Sequence, residues 1–296
     1  MKAALGYYLS RALSGLFGLL PESVIRRAGY RLGWFASFFA GDRFAMARRH
    51  QRRVQGPDVD DRKAARRVFG YYGRYWAEVL WLHPRRRDLV LRQSTIEGVE
   101  HLHAGAGSGR GMILALPHMG NWESAGLRSA AEGARVLAVA EALPNHRIVD
   151  WFTQMRNMMD IDIVIARKGA RVTGDLLARL QDGGTIALLC DRDLKGRGIP
   201  VTLFGEETTM PAGPAALAER TGAHLVPAGC YFRPGAGNRF VVHPRMEVPD
   251  LPTQEERVAA LTQDLAAVIE GFIREAPEQW HLLVPNWPSD RETSAP

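Results

Sequence analysis

Cysteine is nearly absent from this chain of 296 residues, where Cys190 and Cys230 are the only two. That scarcity rules out a disulfide framework as the organising device, and zinc-finger spacing is missing as well. A reducing compartment is the simplest setting. No apolar run reaches the roughly 18–20 residues that span a bilayer. A signal peptide is not expected either, because Arg11 interrupts the first apolar stretch and no small-x-small site follows it. There is no GxxxxGK[ST] phosphate loop and no G-x-S-x-G nucleophile elbow. The glycines of GAGSGRG come before a strand, whereas a dinucleotide loop follows one. HLH at 101–103 has no carboxylate or cysteine at ligand spacing, so it reads as a loop and no metal site is expected.

Charge is present but unevenly placed. Residues 1–92 carry 19 Lys+Arg against 7 Asp+Glu, while the remainder carries 19 against 25, which together give the net +6. The basic excess therefore belongs to the first third and implies an anionic partner. Leu5, Tyr8, Leu9, Ala12, Leu13, Leu16 and Leu20 fall at helical spacing, and a second helical segment ends in the aromatic group RLGWFASFFAG. FAMARRHQRRV and DDRKAARRVFGYYGRYWAEVLWLHPRRR follow, rich in arginine, tyrosine and tryptophan. One reading is a helical layer with solvated arginines. The other is a membrane-docking surface with Trp and Tyr at headgroup level, Arg48, Arg49, Arg52 and Arg53 among the cations meeting anionic lipid. One layer can do both. Nucleic acid fits less well, since the aromatics are mixed with aliphatics and no recognised motif is present.

From about Leu89 the pattern changes. MILALP, VLAVAE, VIA, TIALLCD, TLFG, LVPAGCYF and RFVVHPRMEV read as strands; NWESAGLRSAAEGA, NHRIVDWFTQMRNMM, ARVTGDLLARLQDGG and GPAALAERTG between them read as helices. The predicted class is α/β, a central, mostly parallel twisted sheet flanked by helices, with an N-terminal helical layer. The expected organisation is one structural unit: the basic, aromatic layer over 1–92, the core over 93–287, and a disordered polar tail over 288–296. QEERVAALTQDLAAVIEGFIREA predicts a late helix, followed by PEQWHLLVPNWP.

The chemistry-bearing stretch is LALPHMGNWESAG, residues 114–126. His118 and Glu123 lie five apart, the wrong interval for one helix face, but a strand, a turn and a helix start can bring them together. Asn121 is a good N-cap, and the helix start it caps offers amides to an oxyanion. A neutral imidazole accepts a proton near pH 7, and a neighbouring carboxylate fixes its tautomer. The plainer alternative is a structural histidine at a turn. TIALLCDRDLKGRGIPVTLFG ends a strand in Asp191-Arg192-Asp193 and then presents Lys195 and Arg197; these acids suit the histidine's shell and the cations suit phosphate, unless the segment is a solvated loop of local ion pairs. TTMPAGPAALAERTG places a proline-rich turn before a helix.

HMGNWE, DRDLKGRGIPVTLFG, MPAGPAALAERTGAHLVPA and PEQWHLLVPNW together resemble the bacterial lysophospholipid and lipid A acyltransferase superfamily, and within it the actinobacterial phosphatidylinositol mannoside acyltransferases. The similarity extends over nearly the whole chain except the tail. It implies that His118 is the general base and Glu123 the motif carboxylate, a position often held by aspartate in the family. It also implies that Glu141 and Arg156 are polar pocket residues and that Asp191 and Arg192 support the histidine and a phosphate. The implied reaction moves a long-chain acyl group, palmitoyl by expectation, from acyl-CoA to a mannose 6-hydroxyl of a phosphatidylinositol mannoside. Acyl-CoA is then a co-substrate, with no cofactor permanently bound and no covalent intermediate. The implied location is the cytoplasmic face of the membrane, held peripherally. A lipid A-type saccharide acceptor, or a non-catalytic lipid-binding role, is the alternative.

Overall fold

The computed structural model describes residues 2–142, 144–167, 169–193 and 196–292. Five helices come first: α1 (Lys2–Phe17), α2 (Glu22–Ala36), α3 (Asp42–Gln55), α4 (Asp61–Trp81) and α5 (Arg87–Gln93). α2 and α4 pack closely through glycine. A Cβ on Gly33 would lie 2.1 Å from the Phe69 carbonyl oxygen, and one on Gly73 would lie 2.3 Å from that of Gly29. Ile25, Ala77 and Trp81 of this layer share a cluster with Leu127 and Met159, which ties it to the rest of the molecule.

The apolar stripe of α1 does not face inward throughout. Tyr8, Leu9, Leu13 and Leu16 are exposed, as are Leu32, Trp34, Phe35, Phe38 and Phe39 around the end of α2. The arginines expected to meet lipid are engaged elsewhere. Arg48 and Arg52 bond Asp61, Arg49 bonds the Ser289 carbonyl, and half-buried Arg53 bonds Glu206 and Asp290. They clamp α3 to its neighbours, although Arg52 remains exposed.

The α/β part runs β1 (Thr95–Glu97), α6 (Val99–Ala106), β2 (Met112–Leu116), α7 (Trp122–Ala131), β3 (Val136–Glu141), α8 (His146–Asn157), β4 (Asp162–Ala166), α9 (Val172–Gln181) and β5 (Thr185–Leu189). The hairpin β6 (Ile199–Leu203) and β7 (Glu206–Met210) follows, then α10 (Gly213–Thr221), β8 (His224–Phe232), β9 (Asn238–Val242), α11 (Gln254–Glu275) and α12 (Pro288–Glu292). The seven-stranded sheet has the order β1-β9-β8-β2-β5-β3-β4, parallel in every pair except β8–β9.

β2 is buried along its whole length, and its side chains alternate between two cores. Ile113 and Ala115 join the cluster beneath α9, α10 and α11, whereas Met112, Leu114 and Leu116 join Leu102, Ala125 and Phe240 on the opposite face. The chain leaves β2 for β3 on one side and later returns to place β8 on the other. Such a reversal opens a crevice at the carboxyl ends of parallel strands.

Three expectations give way. HLH 101–103 lies in α6, not a loop, because Leu102 anchors that helix in the core while His103 pairs with Glu132 outside. TLFG is not strand to its end: β6 stops at Leu203 and Phe204-Gly205, both with positive φ as a tight two-residue hairpin turn requires, lead into β7, after which the expected proline-rich turn does precede α10. The expected disordered tail instead starts as a helix: α12 forms, and fully buried Asp290 accepts from the amides of Asn286 and Trp287, while residues 293–296 lie outside the described residues.

Candidate active site

His118 and Asp191 meet because β2 and β5 are neighbours in register. Leu116 pairs with Leu189, so the residues two places beyond each strand end stand side by side. His118 Nδ1 lies 2.5 Å from Asp191 Oδ1. Trp280 Nε1 donates to the other carboxylate oxygen at 2.7 Å. Burial alone would raise the Asp191 carboxyl, but the charge of His118 and the bonds from His118 and Trp280 outweigh it and hold the carboxyl below its ordinary value.

The loop after His118 is fixed from behind by the C-terminal segment. The His281 amide donates to the His118 carbonyl at 2.7 Å, and the Gly120 amide donates to the Gln279 carbonyl at 3.1 Å. Gly120 sits at φ +58 with the Cys230 carbonyl oxygen 2.2 Å from where a Cβ would be, so glycine is required at this turn.

Asn121 then caps α7 by accepting from the Ser124 amide, and its own amide donates to Glu78 at 2.8 Å. Glu78 is held in turn by Arg74 at 2.6 Å, and the three residues are buried. Both ends of the Asn121 side chain are thus committed within the protein. It caps α7 and does not line the cavity, where it was expected among the substrate-binding residues.

Glu123 is not the carboxylate on the histidine. It accepts from Arg156 Nε at 2.9 Å and from Arg156 Nη2, with the Tyr75 hydroxyl 3.5 Å away. Burial and the nearby Glu123 charge push the Tyr75 hydroxyl well above its ordinary value. The pair forms because α7 turns Glu123 toward α8, where Arg156 waits, while the place beside Nδ1 is already filled by Asp191.

A cavity of about 750 Å³ opens at His118, with Glu123, Glu141, Arg156 and Arg192 on its wall. Its depth is apolar, running along Leu114, Leu116, Ala138 and Ala187 of the sheet beneath α7. The space exists because α7 presents Ala125, Gly126 and Ser129 there, side chains too small to fill it. Arg197 is exposed and stands outside this wall, and Lys195 lies outside the described residues.

Several wall residues carry no signal in the sequence reading: Tyr72, Tyr75 and Trp76 from α4, Trp122, and His281. Trp122 packs on Tyr75 with ring centroids 4.1 Å apart. His281 is ringed by Tyr72, Tyr75, Trp122 and Phe232, and neither ring nitrogen has a hydrogen-bond partner among the described residues. Burial, assisted by His118, drives its pKa down to about 3, so it is neutral. PEQWHLL was visible as a block, but its contact with residues 118–120 is set by tertiary folding alone.

Comparison with known proteins follows the same outline. The model of the bacterial lipid A biosynthesis acyltransferase family matches residues 2–289. The phosphatidylinositol mannoside acyltransferase of Mycobacterium tuberculosis is 34% identical over 314 aligned residues, covering 95% of this chain and 97% of that protein. Its namesake from Mycolicibacterium smegmatis is 35% identical over 284 residues, 88% and 91% of the two chains. A lipid A biosynthesis acyltransferase of Haemophilus influenzae is more distant, 24% identical over 199 residues, 66% and 59% of the two. By that match along nearly its full length, the chain belongs to the bacterial lipid A biosynthesis acyltransferase family and is an acyltransferase.

Proposed function

We propose that this acyltransferase moves a long-chain acyl group, palmitoyl by preference, from acyl-CoA to a mannose 6-hydroxyl of a phosphatidylinositol mannoside. The observation that carries this reading is the His118–Asp191 pair at the mouth of a cavity whose depth is apolar. Asp191 accepts a hydrogen bond from Nδ1–H, which fixes the tautomer and leaves Nε2 as the basic nitrogen. Nε2 removes the proton of the acceptor hydroxyl as its oxygen attacks the thioester carbonyl. The first amides of α7, at Trp122 and Glu123, lack intrahelical acceptors and face the developing oxyanion with the positive end of the helix dipole. Collapse expels the CoA thiolate, which recovers the proton from His118.

No covalent intermediate is needed. Both cysteines are buried, and burial raises both thiols, so neither offers a ready thiolate. Neutral His281, with one donor and one acceptor, matches a sugar hydroxyl better than a phosphate. Arg192 on the cavity wall and exposed Arg197 are cations suited to the CoA phosphates. The exposed apolar face of α1 and the end of α2 rests on the cytoplasmic leaflet, within reach of both the anionic glycolipid and CoA.

The test is CoA release, followed with a thiol reagent, and mass spectrometry of the product lipid. Wild type is expected to release CoA only with acceptor present, and His118→Ala is expected to lose about 10²–10⁴ in rate while folded. Turnover near wild type in that variant rejects the mechanism. The similarity to the Haemophilus protein favours a second acceptor, a lipid A-type saccharide, and running both acceptors with one acyl-CoA separates the two. Absence of turnover with either acceptor would leave a lipid-binding protein.

A further inference from the structure

Apart from the catalytic cavity, α2 and α4 enclose a pocket of about 410 Å³ lined by Tyr30, Arg31, Trp34, Lys63, Arg66 and Arg67. Four cations share it, and the carboxylate bonded to any of them is Glu278, on Arg67 at 3.0 Å. The side chains of Arg31, Lys63 and Arg66 have no ion-pair or hydrogen-bond partner among the described residues. That sets them apart from Arg48, Arg52 and Arg53 of α3, which are all paired internally. The Arg66 guanidinium lies over the Phe38 ring at 4.6 Å and near that of Trp34 at 5.7 Å, and its Nε is buried without an acceptor. A guanidinium whose face is covered by rings keeps its N–H edge for a planar or tetrahedral oxyanion. The rim continues into Phe35 and Phe39, both exposed.

We propose that this pocket binds the phosphate of an anionic phospholipid headgroup, with the neighbouring rings set into the leaflet beneath it. Cations lie at phosphate depth and aromatic rings at the interface, the order a bilayer surface imposes. Docking is then directed by a defined phosphate site and not by diffuse charge. This deepens the peripheral-membrane reading given above and rests on it.

The test is sedimentation of the full chain with phosphatidylcholine vesicles, pure or doped with phosphatidylglycerol, at one ionic strength. At about fivefold per cation near the surface, Arg31→Gln/Lys63→Gln/Arg66→Gln is expected to lose about a hundredfold in partition onto the doped vesicles. It is expected to keep wild-type partition onto the pure ones. Arg110→Gln/Arg220→Gln/Arg245→Gln removes equal charge elsewhere and is expected to change partition by no more than about threefold. Equal losses in the two triple variants overturn the pocket and leave only diffuse attraction. Phe35→Ser/Phe39→Ser tests docking itself: unchanged partition of that variant on both vesicle types, or no binding by wild type, overturns the membrane reading together with the pocket. The substituted side chains are exposed except that of Arg66, which is half-buried, and matched thermal unfolding checks that each variant is folded.

Discussion

At the level of single residues, two carboxylates compete for the part of histidine partner, and geometry assigns it to the one 73 positions away. Asp191 is within hydrogen-bonding distance of Nδ1, whereas Glu123 is tied to Arg156. The two should fail differently when neutralised. Asp191→Asn is expected to lower kcat by about 10²–10⁴ with the KM for acyl-CoA little changed, because the ring loses its tautomer and its counter-charge. Glu123→Gln leaves Arg156 without its counter-ion. After discounting for the partial exposure of Arg156, that costs about 2 kcal/mol in thermal unfolding, with kcat falling by no more than about tenfold. Trp280→Phe removes one N–H from Asp191. A hydrogen bond to a charged group contributes about 1.5–3 kcal/mol, so kcat should drop roughly 10- to 100-fold. Steady-state kinetics on the three variants decides; a larger kcat loss in Glu123→Gln than in Asp191→Asn would reverse the assignment.

At the level of elements, what was legible followed local rules. Strand and helix alternated in the apolar pattern, Asn121 read as an N-cap and is one, and the long late helix opens with a Thr253–Glu256 capping box. What was not legible depends on which strand lies beside which. Asp191 was expected at the histidine from the acidic strand end and the resemblance, but nothing in TIALLCD says that β5 sits next to β2, the adjacency that brings the two together. The same holds for Glu78, which reaches Asn121 from α4, and for the arginines of α3, whose partners lie on α4, β7 and α12. Periodicity located the apolar face of α1 but did not tell that it would point outward. The channel under α7 is likewise a packing outcome, and it is testable. At Gly126 a Cβ would already stand 2.9 Å from Ile161 Cδ1, so Gly126→Val should push side-chain volume into the channel beside the site. The expected result is a shift toward shorter acyl-CoA donors, read as kcat/KM across a chain-length series. An unshifted profile would place the acyl chain elsewhere.

At the level of the whole molecule, the C-terminal segment acts as a strap that carries two neutral histidine sites within its reach. His281 backs the catalytic loop, and His50 on α3 bonds the Val284 carbonyl at 3.0 Å between Trp280 and Trp287. Burial pushes their pKa values down from the ordinary 6.5 to about 3 and about 4, despite the nearby charges of Asp191 and Asp290, which act in the opposite sense. An unfolded chain takes up both protons below the ordinary value, whereas the folded protein refuses them until near the lowered values. Stability from these sites is therefore complete above about pH 6.5 and is lost as pH falls toward 4. Each site contributes a slope of about 1.4 kcal/mol per pH unit across that window. Between pH 7 and pH 5 the loss is about 2 kcal/mol for each histidine, about 4 kcal/mol for the two together. His281→Phe keeps an aromatic ring in the cage and removes its proton site, so its stability should fall between those pH values by about 2 kcal/mol less than that of wild type. Denaturant unfolding of both proteins at the two pH values measures this directly, and an identical pH difference would mean that His281 titrates freely in the fold, with water at its nitrogens instead of a closed ring of aromatics.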